Sequence, residues 1–151
     1  MGKIKLAFII EHLGLGDAPE FLLRRIQELK KIDKYDIHVI EWTKWSDEFQ
    51  SLRNQVITEC GINQFTSLGD RNELPDTYIE NRWNIRSVLQ AIGPDIIHFE
   101  ESPENFDEFP SDIQDWIYSN QRPWRIVESS HDSTFEPVSY THLRAHETGR
   151  N

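Results

Sequence analysis

Three short polar clusters in this chain carry the residue types that do chemistry. Gly14-Leu15-Gly16-Asp17 joins an apolar run to an amphipathic segment. Glycines there permit a tight turn and close approach of backbone to a ligand. A helix opening from such a turn offers free N–H groups and the positive end of its dipole, a setting that suits phosphate. His98-Phe99-Glu100-Glu101-Ser102 supplies an imidazole and two carboxylates. An imidazole donates or accepts a proton near neutral pH, which suits it to orient a reacting hydroxyl. Adjacent strand residues point to opposite faces, so Glu100 and Glu101 read as a loop entrance and solvated groups, not as a paired acid/base couple. His131-Asp132-Ser133 is the third cluster. It follows an apolar run and has no packing rationale, so it reads as functional.

The surrounding segments must bring these clusters together. Leu6 to Ile10 is nearly all apolar, as expected of a strand covered on both faces in a parallel sheet. Leu22, Leu23, Ile26, Leu29 and Ile32 then recur at helical spacing, with Arg24, Arg25, Lys30 and Lys31 mostly opposite. Asp17 suits the cap of that helix, Pro19 its first turn and Glu20 a capping box. Tyr35 to Trp42 reads as a second strand, with Ile37, Val39 and Glu41 alternating against Asp36, His38 and Ile40. Ser46 to Glu59 reads as a helix ended by Gly61, and Ile62 to Leu68 as a short strand. Leu68 to Pro75 is turn-rich. Thr77 to Ile92 is a helix stopped by Gly93-Pro94, and Asp95 to Glu101 a buried strand. Asn105 to Asp112 reads as an acidic loop, Ile113 to Asn120 as a helix, and Trp124 to Ser130 as a last strand. Alternating strands and helix-length connections imply an α/β domain with a mostly parallel sheet and right-handed crossovers. In such a sheet ligands collect outside the carboxyl ends of the strands, where all three clusters are expected to meet.

The chain has 151 residues and a formal net charge of −10. That length suits one domain with a real core, and the acidity argues against a nucleic-acid partner. A dinucleotide fingerprint needs a third glycine where Pro19 stands, and a P-loop needs Gly-Lys-Ser/Thr, which is absent. The single cysteine, Cys60, rules out an intramolecular disulfide and suits a reducing compartment. The apolar amino-terminal run is too short for a signal peptide, and no stretch approaches the roughly 20 apolar residues of a membrane span. A cytoplasmic location is expected.

With these residues placed, a likeness emerges. Leu13 to Leu23 resembles the Gly-Gly-Ala-Pro/Glu-x-x-Leu loop of family-4 glycosyltransferases. Gly93-Pro94-Asp95-Ile96-Ile97-His98-Phe99-Glu100 resembles their Pro-Asp-hydrophobic-hydrophobic-His segment, and Ile126 to Asp132 their strand ending in Thr-x-His-Asp/Gly. The likeness spans about residues 3 to 135. It implies a three-layer Rossmann-like domain, the acceptor-side half of a GT-B fold, covering residues 1–137. It further implies retaining transfer of a sugar from a nucleotide-sugar to a carbohydrate or lipid-linked acceptor, with no metal and no resident cofactor. Gly14, Gly16 and Asp17 would lie by the donor diphosphate, His131 would orient the acceptor hydroxyl, and His98, Glu100, Glu101, Asp132 and Ser133 would line the cleft. The chain departs from the pattern at Asp17, which stands in place of the second glycine. The donor-binding domain, with its paired glutamates and basic residues, is absent from these 151 residues, so the chain alone is expected to be inactive.

Several features carry plainer readings. His98, on an apolar strand, also fits a hydrogen-bonded core histidine. The basic face of the first helix (Arg24, Arg25, Lys30, Lys31, Lys34) fits a solvated surface, with peripheral membrane contact as the sharper alternative. Trp42, Trp45, Trp83, Trp116 and Trp124 fit core or domain-interface positions. Residues 138–151 lack periodicity and resemble translated sequencing-adapter read-through, so His142 and His146, at metal-ligand spacing, are set aside with them. The rival function is a non-catalytic flavodoxin-like binding or signalling module. A receiver would need an acidic pair after the first strand, where Glu11 stands alone.

Overall fold

A computed structural model gives the fold and describes residues 2–11, 13, 14, 17–41, 52–68, 85–100 and 110–129. Strand β1 (Ile4–Ile10) leads into helix α1 (Asp17–Ile32) and returns as β2 (Tyr35–Glu41). Helix α2 (Arg53–Cys60) and a short 3-10 turn (Ile62–Gln64) precede β3 (Phe65–Ser67). Helix α3 (residues 85–92) feeds β4 (Ile96–Phe99), and α4 (Ser111–Ile117) feeds β5 (Arg125–Glu128). The five strands form one sheet in the order β3-β2-β1-β4-β5, every pair parallel. This is the Rossmann-like order, in which the direction of winding reverses between β1 and β4; in a flavodoxin order β2 would lie at the edge.

The apolar run of β1 is explained by cover on both faces. Leu6, Phe8 and Ile10 pack with Leu22, Leu23 and Ile26 of α1 and Val56 of α2. Ala7 and Ile9 face the opposite layer, with Ile97, Phe99, Ile126, Ile85, Leu89, Ile113 and Ile117. Phe8 and Ile10 are wholly buried, each worth roughly 1.5–3 kcal/mol relative to exposure.

Local chemistry sets the boundaries. Gly61 ends α2 at φ 97°, and its N–H donates to the Ile57 carbonyl at 2.8 Å. Gly93 ends α3 at φ 60° and donates to the Leu89 carbonyl at 2.9 Å. No atom lies within 4 Å of a Cβ built at Gly93. Gly93→Ala should therefore cost only backbone strain, about 1 kcal/mol, read as a shift in the urea midpoint.

Some boundaries correct the sequence reading. Ile62–Gln64 is a 3-10 turn, not strand, because the Gln64 amide donates to the Cys60 and Ile37 carbonyls and ties the segment back on itself. Helix α4 starts two residues early, at Ser111, because Pro110, at φ −55°, lets its carbonyl accept the Ile113 and Gln114 N–H groups. It stops at Ile117, because Tyr118 leaves the helical region at ψ 15°. Trp124 stands before β5; it is buried, donates its indole N–H to the Ile117 carbonyl at 2.9 Å and meets Trp116 edge-on. Ile32 is half-exposed, because it falls on the helix stripe of Phe21 and Arg25 and not on that of Leu22 and Ile26. The expected helical residues 46–51 and 77–84, the loop before residue 85, and Trp42, Trp45 and Trp83 lie outside the described residues, as do residues 130–151.

Cys60 closes α2 with its thiol half-buried, and burial pushes its pKa up to about 11. At pH 8 alkylation should run roughly 100-fold slower than for a free thiol and accelerate on unfolding in urea. A rate matching that of free cysteine would contradict the packing of α2. No helix among the described residues is long and apolar enough to cross a membrane.

Candidate functional site at the carboxyl edge of the sheet

The ends of β2, β1 and β4 lie side by side. Ile10 pairs with Glu41, and the Glu100 N–H donates to the Ile9 carbonyl at 2.9 Å. Alternation from Phe8, Val39 and His98 places Ile10, Glu41 and Glu100 in one row on the α1–α2 face. All three are fully buried. Two strand spacings, about 9.6 Å, separate the glutamate backbones.

Each carboxylate is held by an arginine from a covering helix. Arg25 of α1 donates its Nε–H to Glu100 Oε1 at 2.7 Å, and Arg53 of α2 donates its own to Glu41 Oε1 at 2.9 Å. Arg53 also lies over the Phe65 ring, 5.0 Å from its centre. Such a partner offsets the cost of burying a carboxylate. On the opposite face Glu128, at the end of β5, accepts the Tyr118 hydroxyl at 3.0 Å.

Glu100 is joined by His98. The imidazole Nε2 lies 2.8 Å from Ser129 Oγ and 3.5 Å from Glu100 Oε1, and the ring packs against Phe8 with centroids 5.0 Å apart. Serine, histidine and glutamate in contact suggest a nucleophilic triad, but the geometry opposes it. A triad places nucleophile and carboxylate on different ring nitrogens, so that one side takes the proton while the other fixes the tautomer. Here both face Nε2. The constellation fixes the ring and forms a polar bridge between β4 and β5.

The clusters read from sequence are placed unevenly. Gly14 is buried just beyond β1, and Asp17 is exposed as the first residue of α1. His98 is hydrogen-bonded within the sheet, as the core reading expects. Glu100 corrects its reading as solvated: it is buried and ion-paired, because it shares the apolar face of β4 and α1 offers Arg25. Arg25 in turn is not part of a purely solvated basic face. Lys30 and Lys31 of that face pair with Glu59 at 3.5 Å and Glu28 at 3.0 Å. Gly16, Glu101, His131, Asp132 and Ser133 lie outside the described residues. No protein-family model, curated protein or solved structure matches this chain. Among the described residues no group of three or more His, Cys, Asp or Glu is arranged to hold a metal ion.

Glu41, Arg53, Ser129 and Tyr118 were not singled out by sequence. One signal was present: Glu41 continues the alternation of Ile37 and Val39, which assigns a carboxylate to a buried face and demands a cation above it.

Proposed function

We propose that this chain is the acceptor-side half of a retaining, family-4-type glycosyltransferase, which moves a sugar from a nucleotide-sugar to an acceptor hydroxyl. The observation that carries the reading is the meeting of the β1 end, the His98–Glu100 segment and Ser129 at the reversal between β1 and β4. A parallel sheet takes its ligand there, and the glycosyltransferase-like motifs fall at these positions. Backbone N–H groups around Gly14 and Gly16 would approach the donor diphosphate, while Asp17 turns outward at the helix start. His131 would orient the acceptor hydroxyl, with Asp132, Ser133 and Glu101 beside it. His98 and Glu100 would shape the cleft floor from beneath. The donor would be held mainly by a second domain following residue 137. The acceptor is a carbohydrate or lipid-linked carbohydrate. Arg24, Lys30 and Lys31 of α1, with Lys34 just beyond it, would supply the basic face for peripheral membrane contact.

Calorimetry with uridine, guanosine and adenosine diphosphates tests the division of labour. This chain alone should bind them no more tightly than millimolar, because one glycine loop supplies only part of a donor site. Submicromolar affinity would place the donor here and overturn the assignment.

A further inference from the structure

We propose that a cavity toward the amino end of the sheet, beside α3, is a second binding site, and that it takes a zwitterionic amino acid with an aliphatic side chain. The proposed transfer cleft lies at the opposite edge of the sheet, so the two readings fail separately.

The cavity has a volume of about 410 Å³, within the range of small-ligand pockets. Its floor comes from β1 and β2. Lys5 and Asp36 line it as register partners, one strand spacing of about 4.8 Å apart. Alternation puts both side chains on the face of Ala7 and Ile9, away from α1. Opposite charges so placed ordinarily join each other. Here each is drawn to its own side. The Lys5 ammonium donates to the Ile92 carbonyl at 3.3 Å, and Asp36 Oδ2 lies 3.3 Å from His38 Nε2. Among the described residues no ion pair links Lys5 to Asp36, and Asp36 Oδ1 has no partner. An ammonium has three donors, of which Lys5 uses one. A cation and an anion therefore stand side by side in one cavity with capacity left on both.

The remaining walls differ in kind. Val88, Ala91 and Ile92 of α3 give an apolar side. Thr66 of β3 lines the cavity from the other side of β2. A lone carboxylate would gain at Lys5 and lose at Asp36, and a lone amine would do the reverse. A zwitterion satisfies both charges at once. An α-amino acid carries its ammonium and carboxylate on a single carbon, which suits two side chains on adjacent strands. Its aliphatic side chain would cover the exposed apolar surface of α3.

The test is a titration of the isotope-labelled chain, following the Thr66 and Ala91 amide resonances on the two sides of the cavity. L-Leucine should shift both saturably in the millimolar range. Isocaproate lacks the amine and isopentylamine lacks the carboxylate, so each should bind roughly tenfold more weakly or worse, the loss of one charged contact. Lys5 is exposed and the Asp36 side chain is one-third exposed, so both can be changed with the fold kept. Lys5→Met should weaken leucine roughly tenfold and leave isopentylamine unchanged. Asp36→Asn should weaken leucine to a similar degree without weakening isocaproate. Absence of saturable shifts with leucine would overturn the proposal. So would either truncated analogue binding as tightly as leucine, or a leucine affinity indifferent to both substitutions.

Discussion

Replacing Arg25 with methionine is expected to destabilise the protein by about 2–4 kcal/mol, because it takes a charged partner away from a buried carboxylate. Glu100 is fully buried and Arg25 is its salt-bridge partner. Methionine keeps most of the arginine stem, so little of the loss is packing. Removing the pair together, as Arg25→Met with Glu100→Leu, should recover most of the stability, since no carboxylate then remains to desolvate. Urea midpoints of the parent, the single variant and the double variant check this. A double variant as unstable as the single one would show that Arg25 contributes through packing and not through charge.

The second large effect concerns turnover. In the longer enzyme that the reading requires, His131→Ala should lower kcat about 100- to 10,000-fold, the range expected when a group that orients or deprotonates a hydroxyl is removed. Affinity for the nucleotide-sugar should stay within a factor of roughly two, because the donor is held elsewhere. Unchanged turnover would remove His131 from the chemistry. A loss confined to donor affinity would move it to the donor side of the cleft.

The sheet was legible because β1, β4 and the helices between them carry patterns that only a two-faced parallel sheet satisfies. Leu6–Ile10 is uniformly apolar, and Gly61 and Gly93 stand where positive φ is needed to end a helix. The ends of α4 and the turn before β3 were less legible. They are decided by a proline carbonyl and a glutamine side chain reaching across space, which local propensity does not encode. The site was half legible for a related reason. His98 and Gly14 declare themselves by type and position. Glu100 and Arg25 are separated by 75 residues, and each alone resembles ordinary surface charge. Their pairing follows only once α1 is laid across β1 and β4, which brings the two side chains together. Glu41 and Arg53 repeat the lesson on the other side of β1.

The central claim is most directly tested by assaying the longer protein that the reading requires, this chain together with a donor-binding domain, with uridine-, guanosine- and adenosine-diphosphate sugars. The account predicts release of nucleoside diphosphate from one donor class, with the sugar transferred in its original anomeric configuration. A folded protein that releases nucleoside diphosphate from none of them, or that inverts the anomeric centre, would contradict it.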